Sequence, residues 1–447
     1  MKNDAKWIWL ANKCGIGSLE VSGLIEKFET IANIYASSYD DYVYAGVSER
    51  LAEDMCDKSL EAAYMIIKYC QSKGVSVLCY DDEDYPSSLR SLKNPPAVLY
   101  CMGKLPDMNK ELCISIVGTR KMSEYGMRAA YKIAYEVAAA GAVVVSGMAL
   151  GIDAVAASAA IAAGGRTVAV FGCGIDVVYP KEHTKLRDAI IANGAVITEY
   201  PPSTEPHGAH YPVRNRIISG LAQGVAVIDA DMGSGALITA KKAIVQGKDL
   251  YAVPCNIDSE NSAGTNSLIR DGASAILCGD DIISNYSYLF RDRLNIQKMR
   301  AAEKRSEFDP SVLLRMGVKA RGRKPAFEGK SSMIERLEKE NAETAIKNAA
   351  PQKTKKNESA NSPVQKTVEE PCAISRAQNG GDESRAALES LSEKQRKIFE
   401  EMPLDQAITV DYLTKTGYKL GEVISALTML EIKGLVSSLP GALYIRK

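Results

Sequence analysis

The chain of 447 residues predicts a doubly wound parallel α/β sheet, preceded by a small helical domain and followed by a linker and a winged-helix domain. Three observations predict it. Between residues 112 and 278, short continuous apolar runs such as Ala142-Val143-Val144-Val145 alternate with amphipathic stretches; strands covered by helices on both faces require such runs. Four runs lead into glycine-bearing loops: Ile116-Val117-Gly118-Thr119-Arg120, Ser146-Gly147-Met148-Ala149-Leu150-Gly151, Phe171-Gly172-Cys173-Gly174 and Met232-Gly233-Ser234-Gly235. On either side of this region the pattern stops.

The elements follow in order. Residues 1–72 read as helices, with apolar residues recurring at Trp7, Leu10, Ala11, Leu19, Leu24, Ile25 and Phe28, and along Leu60–Tyr69. The turn Gly15-Ile16-Gly17, with Ser18 as candidate cap, has the form of a helix-hairpin-helix, which we read as a helix connector rather than a DNA contact. A sheet domain spans 75–285. Val75–Tyr80 and Val98–Cys101 read as strands extending its sheet, separated by a proline-bearing stretch. Further strands are expected near 113–117, 142–146, 167–171, 195–198, 224–229, 249–253 and 274–277. Helices are expected near 124–140, 152–163, 182–192, 214–222, 235–246 and 265–271. The loop Glu199–Val213 is long for this class, and long loops often carry function.

Residues 286–388 are rich in Lys, Glu, Asn, Ser and Ala and read as a largely disordered linker, with a helix at Met333–Ala349. Its Arg321-Gly322-Arg323-Lys324-Pro325 is read as solvated linker rather than a minor-groove hook. Residues 389–447 regain order. Helices fit Glu393–Glu401, Val410–Thr416 and Gly421–Ile432, and a hairpin turns at Pro440-Gly441, which is a winged-helix pattern. The expected recognition helix and its end carry Glu422 and Glu431 against Lys433, a poor face for phosphates, which favours protein interaction over DNA reading.

Composition excludes several classes. The 55 basic and 55 acidic residues cancel, so any basic site is local. None of the ten cysteines forms a C-x-x-C pair and most lie in apolar runs, as reduced core residues of a cytosolic protein do. The first residues lack a signal-peptide pattern, and no apolar stretch approaches the roughly 20 residues of a spanning helix. The expectation is a cytoplasmic protein with no membrane partner.

Several apolar runs feeding glycine loops that open helices describe one edge of a parallel sheet, where backbone N–H groups and helix N-termini collect and bind phosphate. Gly118 and Gly147 are expected to let backbone approach a ligand, Gly233 is a further expected DNA-binding position, and Thr119, Ser146 and Ser234 are expected to add hydroxyls. Arg120 projects from a strand end and is expected to fork phosphate or stack on a base. In Tyr211-Pro212-Val213-Arg214-Asn215-Arg216 the arginines lie two apart on a helix, so one faces the ligand and the other pairs with Asp229 or Glu199. Lys181 is a further phosphate candidate, and Lys241 would extend the basic track. Asp153, just after Gly151-Ile152, reads as a helix N-cap. Catalysis finds little support, since no phosphate loop of the G-x-x-x-x-G-K-[ST] type, no G-x-S-x-G elbow and no dinucleotide fingerprint is present. His183, His207 and His210 do not make a persuasive metal set, and neither metal nor cofactor is expected.

The blocks from Ile116 to Arg120, Ser146 to Asp153, Phe171 to Pro180, Tyr211 to Leu221 and Ser234 to Ala240, in this order, resemble the DNA-processing protein A family (DprA, also called Smf) over roughly residues 80–280. The resemblance implies a Rossmann-like domain that binds single-stranded DNA at the glycine-loop edge, protects incoming strands and loads RecA recombinase in natural transformation. It matches Arg120 and Lys181 to the family's basic DNA-contacting positions and Arg214, Asn215 and Arg216 to its motif. It also implies a homodimer. Leu268 and Ile269 diverge by about 100° on a helix, so one fills the core, and Ile269, at the family's interface position, faces a second chain. Two departures stand out. Ala157 occupies the position of a common family histidine, and Cys255 replaces glycine in Val253-Pro254-Cys255, where positive φ would strain it. A nucleotide phosphoribohydrolase-like enzyme and a nucleotide-binding sensor are the alternatives on this fold. The former's catalytic glutamate has no counterpart after Asp231-Met232-Gly233-Ser234-Gly235.

Overall fold

The computed structural model describes residues 2–259, 261–303, 305–318 and 393–403, with 408–409, 412–413, 418, 423, 426–427, 430, 435–439 and 443–446. The chain forms two compact units, Met1–Ala350 and Pro351–Lys447.

The first unit opens with α1 (Lys2–Cys14), α2 (Glu20–Phe28), α3 (Ile31–Ala36), α4 (Tyr39–Tyr44), α5 (Glu49–Cys56) and α6 (Glu61–Ser72). Short polar residues start several of them. Ser18 Oγ accepts from Glu20 N, the Thr30 side chain accepts from Asn33 N, and Ser38 with Asp41 closes a capping box. Trp7, Leu10, Leu24, Ile34, Tyr42 and Met55 fill the interior between these helices.

The sheet region follows as β1 (Ser76–Cys79), α7 (Ser87–Arg90), β2 (Val98–Gly103), β3 (Cys113–Val117), α8 (Glu124–Ala139), β4 (Val143–Ser146), α9 (Ile152–Ala162) and β5 (Thr167–Val170). It continues as α10 (Thr184–Asn193), β6 (Gly194–Thr198), α11 (His210–Leu221), β7 (Gly224–Val227), α12 (Gly235–Val245), β8 (Asp249–Ala252), α13 (Ser262–Arg270) and β9 (Ser274–Ala275). The strand order is β1-β2-β6-β5-β4-β3-β7-β8-β9. Strand β2 pairs antiparallel with β1 and β6, and the pairs from β6 to β9 are parallel. The chain winds outward from β3 to β6, then returns to the other side of β3 to lay down β7. The carboxyl ends of β3 and β7, paired from Ile114↔Gly224 to Val117↔Val227, are therefore the switch point where doubly wound sheets bind ligands.

Alternate strand residues serve opposite layers. Ile114, Ile116 and Val144 join the core with α8 and α9, whereas Cys113, Val117, Val143 and Val145 join the core with α11 and α12. Helix α11 begins one turn earlier than expected, because Pro212 fits a first turn.

Ordered structure also runs further than the expected boundary near residue 285. After α14 (Asp280–Ile283) come α15 (Ile296–Glu303) and α16 (Pro310–Arg315), inside the stretch read as linker. Met299, Ala302, Val312, Leu313 and Val318 are buried, and Phe308 packs edge-on to Tyr131 at 5.5 Å. Glu136 of α8 pins the segment by accepting from Gly279 N at 2.6 Å and Ser306 Oγ at 2.8 Å. These few apolar residues are too sparse in a Lys- and Glu-rich stretch to show a period; the cap Asp309 ahead of Pro310 is the readable signal. The expected helix Met333–Ala349 and the Arg321–Pro325 stretch lie outside the described residues.

Cys255 corrects a second expectation. The non-glycine residues with positive φ among those described are Glu29, Met148 and Ser203. The Cys255 turn is instead held by Asn266, which accepts from Cys255 N at 3.1 Å and donates to Cys255 O at 2.9 Å.

The second unit contains α17 (Glu393–Glu400) and the strands β10 (Ile408–Thr409), β11 (Val436–Leu439) and β12 (Leu443–Arg446), in the order β10-β12-β11. Ile398, Phe399, Leu413, Val423, Leu427 and Leu430 form its core. Tyr412, Leu413, Val423, Ala426, Leu427 and Leu430 are helical, while Glu422, Glu431 and Lys433 lie outside the described residues.

Candidate nucleic-acid interface

A crevice of about 650 Å³ opens at the switch point. One wall is Gly118-Thr119-Arg120-Lys121 after β3. Thr119 N donates to Asp229 O at 2.7 Å and ties this loop to the β7 side. Gly151 (φ +80°) lies against the same loop, where a Cβ would sit 2.8 Å from Arg120 O. Arg120 and Lys121 are exposed. The Arg120 guanidinium lies 5.1 Å from the centre of the Tyr211 ring, and Tyr211 stacks on Tyr179 at 5.9 Å and 28°. Burial pushes the Tyr211 phenol up to about 12.

The floor is charged but internally committed. Arg214 is buried and donates to Gly147 O at 3.1 Å and to Val170 O. Asp153 is buried too, and its carboxylate accepts from Gly147 N at 3.1 Å. Burial raises the Asp153 pKa and lowers that of Arg214, while each one's charge opposes the other's shift. Asp153 is not the cap of α9, a position held by Gly151; it clamps the β4 loop. The far wall is Asp231–Ala236, where the Ser234 side chain caps α12 by accepting from Ala236 N. Helices α11 and α12 both begin at the crevice, so their N-terminal dipoles favour a bound anion there.

Of the sequence-predicted residues, Gly118, Thr119, Arg120, Arg214, Asn215, Gly233 and Ser234 line this one crevice. Others do not. Ser146 is buried and its hydroxyl donates to Ile116 O at 2.8 Å. Gly147 lies behind Arg214, and a Cβ there would stand 2.7 Å from Arg214 Nη1. At Gly118, which does line the crevice, a Cβ would stand 2.5 Å from Ile152 Cγ1, so internal packing requires glycine at both positions. Arg216 turns away into a buried pair with Glu199 at 2.7 Å. Lys181 and Lys241 are exposed but are not lining residues. Leu268 and Ile269 are half-buried on α13, with Leu268 packed against the core.

Sequence reasoning missed Lys121, Tyr179, Tyr211 and Asp231 as lining residues. The available signal was the tyrosine before proline in both Tyr179-Pro180 and Tyr211-Pro212, at two converging loops. The His207 and His210 rings pack against each other at 5.5 Å. His183 Nδ1 lies 3.1 Å from Met148 O, and His210 Nδ1 lies 3.0 Å from Gly172 O while its ring stacks on Tyr200. Among the described residues no helix is long and apolar enough to cross a membrane.

The sheet order and the switch-point crevice place the chain among doubly wound α/β proteins that take their ligand at the carboxyl edge. The family described as DNA recombination-mediator protein A matches residues 76–287, and the DprA winged helix domain matches residues 382–442. The chain is 30% identical to Protein Smf of Synechocystis sp. over 459 aligned residues, covering 100% of both chains. It is 39% identical over 212 residues to DNA processing protein DprA of Bacillus subtilis, covering 47% of this chain and 71% of that one. The X-ray structure of DNA processing protein A from Streptococcus pneumoniae matches with a TM-score of 0.55 at 32% identity, covering 62% of this chain and 97% of that one. The chain belongs to the DprA/Smf family and is a DNA-processing protein.

Proposed function

We propose that the crevice binds single-stranded DNA, and that the protein protects incoming strands and loads RecA recombinase in natural transformation and recombination. It does so as a cytoplasmic homodimer and without catalysing a reaction. One observation carries the binding reading: the open Arg120–Tyr211–Tyr179 stack beside the N-termini of α11 and α12. A single strand offers unstacked bases to aromatic faces and flexible phosphates to an arginine, and a duplex keeps its bases inside. The stack reads base faces rather than edges, so sequence preference is weak. The recombinase role rests on the family's description as a recombination mediator. The dimer rests on α13, where Leu268 packs inward and Ile269 is left for a second copy.

The test is fluorescence anisotropy with a labelled single strand and a blunt duplex of equal length, run beside a nucleotide-hydrolysis assay. The single strand binds more tightly and no nucleotide is cleaved. Equal affinity for both DNAs contradicts the binding reading, and turnover of a nucleotide supports the phosphoribohydrolase-like alternative.

A further inference from the structure

We propose that the amino-terminal helices are a brace that sets the spacing of the crevice tyrosines, with Tyr69 and Gly17 as positioning residues. The proposal rests on the DNA-binding reading of the crevice. Tyr179 and Tyr211 stand on separate loops, and the same helical region grips each one.

The first grip is on the Tyr179 loop. Tyr69 of α6 donates its hydroxyl to Asp176 Oδ2 at 2.7 Å. Asp176 also accepts from Ser203 N at 2.7 Å and Ser203 Oγ at 3.1 Å. One carboxylate thus joins α6, the loop after β5 and the long loop before α11, three residues ahead of Tyr179.

The second grip is on the start of α11. Gly17 has a φ of +72°, and a Cβ there would stand 2.6 Å from Val213 Cγ1, so the hairpin lies flush on the first turn, two residues from Tyr211. Gly17 N donates to Glu199 Oε1 at 3.4 Å, and Gly17 O accepts from Asn94 Nδ2 at 3.0 Å. Glu199 also holds Arg216 of the same helix. The glycine hairpin is therefore occupied by this docking. Loosening either grip frees one ring of a stacked pair and leaves Arg120 and Lys121 on their own loop.

That division supplies the test. Binding of a labelled single strand, and of an abasic strand of the same length, is measured for the full chain and its variants. Tyr69→Phe removes one hydroxyl and weakens binding of the ordinary strand about 3- to 10-fold, the worth of one hydrogen bond. It leaves abasic-strand affinity and the salt slope unchanged, because phosphate contacts are intact. In an Asp176→Ala background, Tyr69→Phe causes no further loss. Gly17→Ala gives the same split between ordinary and abasic strands and serves as the second variant should Tyr69→Phe fail to fold. The brace is overturned if Tyr69→Phe binds like the parent, weakens both strands equally, or adds its full effect to that of Asp176→Ala. Arg120→Ala separates the two levels. If it weakens binding while Tyr69→Phe does not, only the brace falls; if neither changes binding, the crevice reading falls and the brace with it.

Discussion

Arg214 and Arg216 stand two residues apart on α11 and sit in different worlds. Arg214 lines the floor of the crevice, bonded to strand-end carbonyls beside Asp153. Arg216 lies beneath the docked hairpin, 2% exposed, and both its bonds to carboxylate go to Glu199. About 200° of helix rotation separates them. Residue type and neighbourhood in sequence are nearly the same, so the difference shows that helix phase sends one charge to the crevice floor and the other beneath the hairpin. Arg120 is the third case, exposed on a loop with its guanidinium over the Tyr211 ring.

The largest effect expected from this contrast falls on stability. Arg216→Ala leaves Glu199 buried without its partner and should destabilise the first unit by about 3–5 kcal/mol in urea unfolding. A loss comparable to that of an ordinary surface substitution, about 0.5 kcal/mol or less, would erase the distinction between the two regions.

Tyr211→Ala comes next. It removes the ring that both Arg120 and Tyr179 contact and should cost single-strand binding about 1–3 kcal/mol, the range for one base–aromatic stack. Titration with ordinary and abasic strands checks it, since the abasic strand should lose far less.

Arg120→Ala should weaken binding by less than that, with thermal stability unchanged. The log–log salt slope should shrink by about 0.7 if one phosphate contact is lost. A variant that binds normally in low salt places DNA on another edge of the sheet.

Lys181→Ala and Lys241→Ala mark the smallest end. Both side chains lie outside the lining, so each should change affinity by less than Arg120→Ala and serve to bound the crevice. An effect from either that matches Arg120→Ala would extend the binding track along that side.

The sheet was legible because parallel strands covered on both faces leave uninterrupted apolar runs, and Ala142–Val145 and Val225–Val227 could be placed without long-range information. The segment 296–318 was not, since Met299, Val312 and Leu313 are anchored by α8 and α9 and make no period of their own. Within the site, the loop positions Gly118–Arg120 and Gly233–Ser234 came from local pattern. The roles did not. Gly118 and Gly147 are glycines because Ile152 and Arg214 fill the space above them, a fact of tertiary packing. Ser146 points into the sheet because the pleat turns it toward Ile116 O. Tyr179 and Tyr211 lie 32 residues apart, and only the fold stacks their rings.

Single-stranded DNA is proposed to lie on the Arg120–Tyr211–Tyr179 stack. Photo-crosslinking with a single strand carrying halogenated pyrimidines, followed by peptide mass spectrometry, tests it most directly because it locates the DNA without altering the protein. Adducts are expected on the peptides bearing Tyr179 and Tyr211, suppressed by excess unlabelled single strand. Adducts confined to the Gly15–Gly17 hairpin or to residues 389–447, with none at either tyrosine, would contradict it.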